Sequence, residues 1–283
     1  MAGPSTSTDY GQLLEGSTER MTDRLRFRAG VRRAAVLLCV ALAAGCAAKK
    51  NTIPTNITQP DRYLLDKGNE ALKKKQWTNA REYFRQVVDN YPQSPLRPDA
   101  KLGIGDTYLG EGSSEALVTG ANEFREFLTF YPTNSKADIA QFRLALCHQK
   151  QMRAAERDQT ETRESLKEFQ VFFDRFPNSP LMPEVRMRWR EARDRLSMAS
   201  YRVGFHYYRS RWYPGAVDRF KEILKDDPEY SGRDAVYFYL ADSLAKADKK
   251  AEAVPYFERL LSEFAQSEFV EDAKKRLQAL NAQ

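Results

Sequence analysis

Cysteine and histidine are scarce in this sequence, which contains three cysteines and two histidines among 283 residues. Cys39 and Cys46 lie in the N-terminal apolar region, so Cys147 stands alone in the rest of the chain. Without a second cysteine, that part of the chain cannot form a disulfide framework, and packing must hold its fold. His148 and His206 are far apart and lack cysteines or carboxylates at metal-ligand spacing, which argues against a metal centre.

An apolar run long enough to cross a bilayer is also missing. Residues 34–44 are continuously apolar, but they supply only about half of the ~20 residues that a transmembrane helix needs. A cluster of arginines just before this run completes the layout of a secretory signal peptide, which we expect within residues 1–45. These arginines are Arg24, Arg26, Arg28, Arg32 and Arg33.

The apolar run leads into Leu42-Ala43-Ala44-Gly45-Cys46, which resembles a bacterial lipobox. Small residues before Cys46 suit a signal peptidase that cuts on the N-terminal side of a lipidated thiol. One departure is Ala43, which occupies the place of the usual large aliphatic residue, with Leu42 one position further out. We expect Cys46 to carry a lipid anchor; the alternative is a buried helix that happens to contain a cysteine.

The first 60 residues divide into three parts. Residues 1–20 contain three acidic residues and one arginine, a poor beginning for a signal peptide, so we expect translation to start at Met21 and residues 1–20 to be an extension. The signal ends at residue 45. Residues 46–60 contain two prolines and no apolar period, which indicates a flexible tether reaching at most ~46 Å.

The chain beyond residue 45 carries little net charge. Residues 1–45 hold six of the 45 basic and four of the 39 acidic residues, which leaves a formal charge of +4. The two signs are interspersed along the chain. This pattern favours a solvated helical surface over a nucleic-acid-binding one.

Motifs for catalysis are absent as well. The stretch "GIGDTYLG" superficially resembles a phosphate-binding loop, but no strand precedes it and its spacing does not fit the dinucleotide pattern. No nucleophile stands beside a recognisable general base. We therefore predict a protein that is not an enzyme and that uses no cofactor or metal.

What the sequence does contain is a repeat that begins at Asp61. Five dipeptides mark it, and a phenylalanine stands eight residues before the second member of each. A small residue lies four positions before that phenylalanine, and apolar residues lie three and four positions after it, so each copy forms one stripe of a helix. Proline then ends the helix. The dipeptides are Tyr91-Pro92, Tyr131-Pro132, Phe176-Pro177, Asp227-Pro228 and Phe264-Ala265; the phenylalanines are Phe84, Phe124, Phe169, Phe220 and Phe257.

A second apolar-periodic helix follows each turn, so helix pairs recur. The first copy resembles the tetratricopeptide repeat, with Gly68, Ala80, Phe84 and Pro92 at its expected positions. This resemblance implies an all-α fold, a right-handed solenoid of five tetratricopeptide-like helix pairs. The departures are Asp227 in the fourth copy and Ala265 in the fifth.

The repeats are longer than the simple motif, with spacings of 40, 45, 51 and 37 residues against about 34. In the second repeat we place the excess in a glycine-rich connection at residues 109–120. In the third we place it at residues 152–160, where Asp158 and Glu161 resemble a capping box. In the fourth, residues 181–210 contain no breaker after Pro183 except Gly204, which predicts one long helix of ~40 Å joining three repeats to two.

Shared phenylalanines in a solenoid are packing residues, so function is expected on the exposed faces and the ends. Five polar residues are candidates for a substrate groove in the first repeats, although each is also consistent with an ordinary solvated surface. They are Asn69, Lys73, Lys101, Lys136 and Arg143.

The whole arrangement is similar to the BamD-type outer-membrane assembly lipoproteins. A lipobox, a tether and five repeats contain "YPQSP", "ERDQTETRESLKEFQVFFDRFPNSP" and "ARDRLSMASYRVGFHYYRSRWYPGAVDRFKEILKDDP" in that order, and the similarity spans roughly residues 58–281. Its most specific parts are Arg157-Asp158, Phe176-Pro177-Asn178-Ser179, and Asp194-Arg195-Leu196 continuing to Tyr201 and Tyr207-Tyr208. The connection at residues 152–160 is shorter than in enterobacterial members.

This resemblance implies a lipid-anchored subunit of the machinery that assembles β-barrel proteins at the periplasmic face of the outer membrane. Residues 61–180 would receive unfolded outer-membrane proteins, and residues 181–283 would contact the last POTRA domain of a BamA-like barrel subunit. The partner-binding region of these lipoproteins corresponds here to Arg195, Asp194 and Tyr208. For Arg195, the alternative is an ion pair with Glu191 on the same helix. Ala47 after the lipidated cysteine favours outer-membrane sorting.

Two other functions remain open on the sequence. A lipoprotein of this repeat type could scaffold envelope synthesis or polysaccharide export. A peptidoglycan lyase on a repeat platform is a third possibility, although no catalytic domain precedes Gln283.

Overall fold

The computed structural model describes residues 57–282. The predicted signal peptide, the start at Met21 and the lipidation site Cys46 lie outside this part of the chain. The described part contains eleven α-helices and no strand, which confirms the all-α prediction. The helices are α1 Pro60–Lys73, α2 Trp77–Asn90, α3 Arg97–Glu111, α4 Ser114–Phe130, α5 Ala137–Gln149, α6 Thr160–Arg175, α7 Met182–Arg209, α8 Tyr213–Asp226, α9 Arg233–Lys246, α10 Lys250–Glu263 and α11 Val270–Asn281.

Each helix packs against the next one, which produces a solenoid of five helix pairs followed by α11. Odd-numbered helices also contact each other, since α3 touches both α1 and α5, and α9 touches both α7 and α11. None of the helices between residues 60 and 281 combines the length and the apolarity that crossing a membrane requires.

The repeated phenylalanines lie at the centre of the core, as predicted. Phe84, Phe124, Phe169, Phe220 and Phe257 are all fully buried. Glycine is needed opposite three of them. A Cβ on Gly68 would meet the ring of Phe84 at 2.4 Å, and Cβ atoms on Gly105 and Gly204 would meet the rings of Phe124 and Phe220 at 2.5 and 2.8 Å. The helices can therefore approach closely only because glycine stands opposite these rings.

The even-numbered helices end where the dipeptides predict. Tyr91, Tyr131, Phe176, Asp227 and Phe264 each follow the last residue of their helix as its C-cap. α10 ends in this way although Ala265 replaces the proline. The turn after α2 is closed by hydrogen bonds that the sequence did not reveal. Ser94 donates to Asp61 at 2.6 Å and accepts from the Leu96 N–H at 3.1 Å. Ser179 with Asp138 and Ser267 with Asp234 repeat this arrangement.

The predicted connection in the third repeat is present, since residues 150–159 separate α5 from α6, but the one in the second repeat is wrong. Only Gly112 and Ser113 separate α3 from α4, because Gly112 ends α3 in the left-handed conformation (φ 72°) and the Ser113 hydroxyl accepts from the Ala116 N–H at 3.2 Å. The extra residues of the second repeat thus lengthen its helices rather than its loop.

The capping box at Asp158 and Glu161 does not form either. Gln159 is the N-cap of α6, and its buried amide donates to the carbonyls of Ala154 and Arg157. Glu161 instead contacts Nδ1 of His148 at 2.7 Å. The segment folds back on itself, so the side chain at position 161 faces α5 rather than the helix start.

The predicted long helix is confirmed as α7, whose 28 residues serve two repeats in succession. Its first half packs against α6 through the fully buried Val185 and Ala192. Its second half packs against α8, with Gly204 under Phe220. α7 is therefore the element that connects the first three repeats to the last two.

Candidate partner-binding surface

The middle of α7 is tied to the end of α8 by a buried carboxylate. Asp227, which stands where three of the other repeats have an aromatic residue before proline and the fifth has one before alanine, is 4% exposed. Arg190 donates to both of its oxygens, at 2.9 and 2.5 Å, and Ser197 donates at 2.5 Å. Burial alone would raise the pKa of Asp227, but these donors outweigh burial and hold the pKa below its ordinary value. The junction is thus held by a charged network in place of a ring.

Two of the predicted partner-binding residues belong to internal networks. Asp194 lies 2.8 Å from Arg190 and accepts from the Ser231 N–H at 3.2 Å. Tyr208 donates to Asp242 at 2.7 Å and accepts from Lys246 at 2.7 Å. These contacts hold α7 against the turn before α9 and against α9 itself. Both side chains are therefore engaged within the chain.

Arg195, the third predicted partner-binding residue, is exposed. Its guanidinium makes one long bond, at 3.4 Å, to the carbonyl of Arg153. The alternative pairing with Glu191 does not form, because Glu191 contacts Arg188 at 3.3 Å instead. Within residues 57–282, Arg195 has no carboxylate at ion-pair distance, so its charge is available to a partner.

A cleft of about 710 Å³ lies on the same side of α7. Its walls are the connection between α5 and α6, the first turn of α6, and the second half of α7. We call it the junction cleft. It is lined by Ala155, Glu156, Arg157, Arg163, Leu196, Ala199, Ser200, Arg202, Val203, His206 and Tyr207.

The predicted groove residues of the first three repeats are placed unequally. Lys101 contacts Glu123 and Glu126, both at 2.6 Å, Lys136 contacts Asp99 at 2.9 Å, and Arg143 contacts Asp106 at 2.8 Å. These three side chains link neighbouring helices. Asn69 and Lys73 are exposed on α1. Three of the five residues are therefore engaged in ion pairs within the chain, and two are exposed.

Sequence reasoning missed Asp227, Arg190 and the junction cleft. The departure at Asp227 was visible as a polar residue at an aromatic position, but its partner lies 37 residues earlier and no local pattern connects them. Between residues 57 and 282, no group of three or more histidine, cysteine or acidic side chains could hold a metal ion. The chemistry available on this surface is recognition by charge and by apolar contact.

Comparison with known proteins gives a consistent picture. A protein of Caulobacter vibrioides named outer membrane protein assembly factor BamD is 27% identical over 212 residues, which cover 74% of this chain and 68% of that protein. Proteins of the same name from Vibrio cholerae and Rickettsia prowazekii are 23% and 24% identical, covering 68% and 72% of this chain and 82% and 79% of their own length.

Family models match most of the described chain. A tetratricopeptide-repeat model matches residues 235–267. The TPR2AB domain of yeast Sti1, solved in complex with pHSP90, has a TM-score of 0.43 and 15% identity over 72% of this chain and 78% of that chain. The model of the YfiO outer membrane lipoproteins matches residues 58–250. The chain therefore belongs to the YfiO family of outer membrane lipoproteins.

Proposed function

We propose that this chain is a lipid-anchored, non-enzymatic subunit of the machinery that assembles β-barrel proteins in the outer membrane. The observation that carries the proposal is the family match over residues 58–250, together with relatives named outer membrane protein assembly factors. In this role the chain binds a periplasmic POTRA domain of a BamA-like barrel subunit and receives unfolded outer-membrane proteins. Such work needs exposed binding surfaces, which a solenoid supplies.

The anchor follows from the N-terminal sequence. Residues 1–45 are removed, Cys46 carries the lipid, and residues 46–60 tether the repeat domain, 61–283, to the periplasmic face of the outer membrane. Each buried methylene contributes ~0.8 kcal/mol to membrane binding, so several acyl chains give lasting residence. Anchoring also keeps the repeats at high local concentration beside a membrane-embedded partner.

Residues 181–283 form the partner side of the proposal, and Arg195 is its contact residue. Its guanidinium is exposed and has no carboxylate partner within the described chain, so an acidic side chain of the POTRA domain can pair with it without breaking an existing ion pair. Asp194 and Tyr208 act indirectly in this scheme, because their internal bonds hold α7 in position. In this proposal Arg195 contacts the partner, and Asp194 and Tyr208 stabilise the position of α7.

Residues 61–180 form the substrate side. A barrel precursor presents extended segments with exposed apolar and aromatic side chains, which a helical groove can bind without turnover. Asn69 and Lys73 are exposed and can meet such a chain directly. Lys101, Lys136 and Arg143 contribute by fixing the spacing between the helices that line the groove.

Arg195→Glu tests the proposed contact. If Arg195 meets an acidic residue in a desolvated interface, the substitution should weaken binding of the purified POTRA domain by ~2 kcal/mol or more, while the melting temperature changes little. The matched control is Arg62→Glu, an exposed arginine on α1. Binding that is equally strong for wild type and both variants would remove Arg195 from the interface. Failure of the wild-type protein to bind would contradict the proposed function itself.

A further inference from the structure

The junction cleft carries an excess of positive charge. Arg157 and Arg163 line the wall formed by the α5–α6 connection and α6, and Arg202 lines the α7 wall. Glu156 is the one carboxylate among the lining residues, and it pairs with Arg202 at 3.0 Å. Arg157 and Arg163 are exposed, and within residues 57–282 neither side chain has an ion-pair partner.

The positive strip extends beyond the cleft in both directions along α7. Arg195 lies at one end and reaches the α5–α6 connection through the Arg153 carbonyl. At the other end a second hollow, of about 380 Å³, is bounded by Arg202, Phe205, His206, Arg209 and Ser210. An anionic ligand in the cleft would therefore meet two unpaired guanidinium groups on one wall and, on the other, Arg202 with its partner Glu156.

The floor of the cleft is apolar. Ala155, Leu196 and Ala199 line it, and Val203 is 42% exposed on α7. A flat bilayer surface cannot enter a concave site of this kind, whereas a protein segment can place a side chain in it. The combination of guanidinium walls and an apolar floor fits a segment that carries carboxylates on both sides of one apolar residue.

We infer that the junction cleft receives an acidic protein segment whose apolar side chain packs on Val203 while its carboxylates pair with Arg157 and Arg163. This inference rests on the proposed function, because it assigns the segment to the POTRA domain that contacts Arg195. It adds the α5–α6 connection to the binding surface. The α5–α6 connection then contributes to the choice of partner through the charge of Arg157.

The connection is ordered before any partner arrives. The Gln159 amide donates to the carbonyls of Ala154 at 2.8 Å and Arg157 at 3.0 Å, and Ala155 is 8% exposed. These bonds fix the backbone from which Arg157 projects. A pre-formed wall reduces the entropy lost on binding, so the two arginines can contribute to affinity.

The experiment compares variants of the full-length lipidated protein in detergent, with the purified POTRA domain as probe. The Arg157→Glu/Arg163→Glu double variant should bind at least about 30-fold more weakly than wild type because like charges then face each other. The matched control, Arg62→Glu/Lys225→Glu, makes the same charge change at exposed positions on α1 and α8, and its affinity should stay within about twofold of wild type. Val203→Asp should weaken binding about tenfold or more by removing the apolar contact.

The outcomes separate the two proposals. If Arg195→Glu weakens binding and the Arg157/Arg163 double variant does not, the cleft is not the docking site while the proposed function stands. If the wild-type protein does not bind the POTRA domain, both proposals fail. Vesicles containing phosphatidylglycerol provide the last test: sedimentation of the Cys46→Ala protein with them, abolished by the double variant, would assign the cleft to lipid headgroups and overturn the inference.

Discussion

The two halves of the solenoid each place an aspartate with little solvent exposure beside an arginine, with opposite consequences for its pKa. In the first three repeats, Arg143 lies 2.8 Å from Asp106, yet burial raises the pKa of Asp106 to about 6. In the last two repeats, burial is opposed by hydrogen bonds from Arg190 and Ser197, and the pKa of Asp227 is lowered. The difference shows that the charge of one nearby arginine does not compensate for burial, whereas several aligned donors do.

This contrast also separates two ways of building a repeat junction. At three junctions an aromatic residue follows the helix: Tyr91, Tyr131 and Phe176. The ring centroid of Phe176 lies 5.6 Å from that of Phe172. The fourth junction replaces the ring with Asp227 and draws arginines from α7 into the protein. This network links α7 to the residue after α8 through several directional hydrogen bonds.

The largest effect is expected from Asp227→Ala. This change leaves Arg190 partly buried without its main counter-charge and should destabilise the protein by ~3–5 kcal/mol, as measured by urea denaturation. Asp226→Ala removes an exposed carboxylate one residue earlier and serves as the control. Equal stability of the two variants would show that the junction does not depend on the charged network.

A smaller effect, opposite in its pH dependence, is expected at Asp106. Because its pKa in the folded protein is about 6 against 3.8 for the ordinary carboxyl group, Asp106 favours folding fully below pH 3.8 and loses that contribution as the pH rises through about 6. Asp106→Asn cannot titrate. The free energy of unfolding of the wild type should therefore rise by ~2 kcal/mol relative to this variant when the pH falls from ~7.5 to ~4.5.

Asp227→Asn is the matched comparison for that titration. The pKa of Asp227 is lowered, so its contribution is present above pH 3.8 and is lost only as the pH falls through its folded value. The wild type should show no comparable gain over Asp227→Asn on acidification to pH ~4.5. A gain of the same size for both aspartates would mean that the two sites have equivalent environments.

The sequence was sufficient for the parts of the fold that depend on local repeats. The position of Phe169 predicted a buried side chain, and the lack of any breaker other than Gly204 between Pro183 and Ser210 predicted α7. The connection at residues 109–120 was misplaced because added residues can lengthen either a helix or a loop, and the left-handed ending at Gly112 decides between them. In the candidate site, helical spacing is enough to pair Asp194 with Arg190, four residues earlier. The bonds of Asp194 to Ser231 and of Tyr208 to Asp242 span 37 and 34 residues, beyond any local pattern.

The smallest expected effect concerns the serine that closes three of the five turns. Ser94 hydrogen-bonds to Asp61, and this bond is the main reason that the pKa of Asp61 is lowered. Ser94→Ala should cost ~1 kcal/mol in the free energy of unfolding, since it also leaves the Leu96 N–H without its acceptor.

The control is Ser135→Ala, an exposed serine in the second turn, where Asn134 accepts from the Lys136 N–H instead. The fourth turn has the buried Tyr230 at the position of Ser94, so the serine bond is one solution among several. If Ser94→Ala and Ser135→Ala unfold at the same urea concentration, the serine bond adds nothing to the ordinary turns, and the difference between the two halves reduces to the network around Asp227.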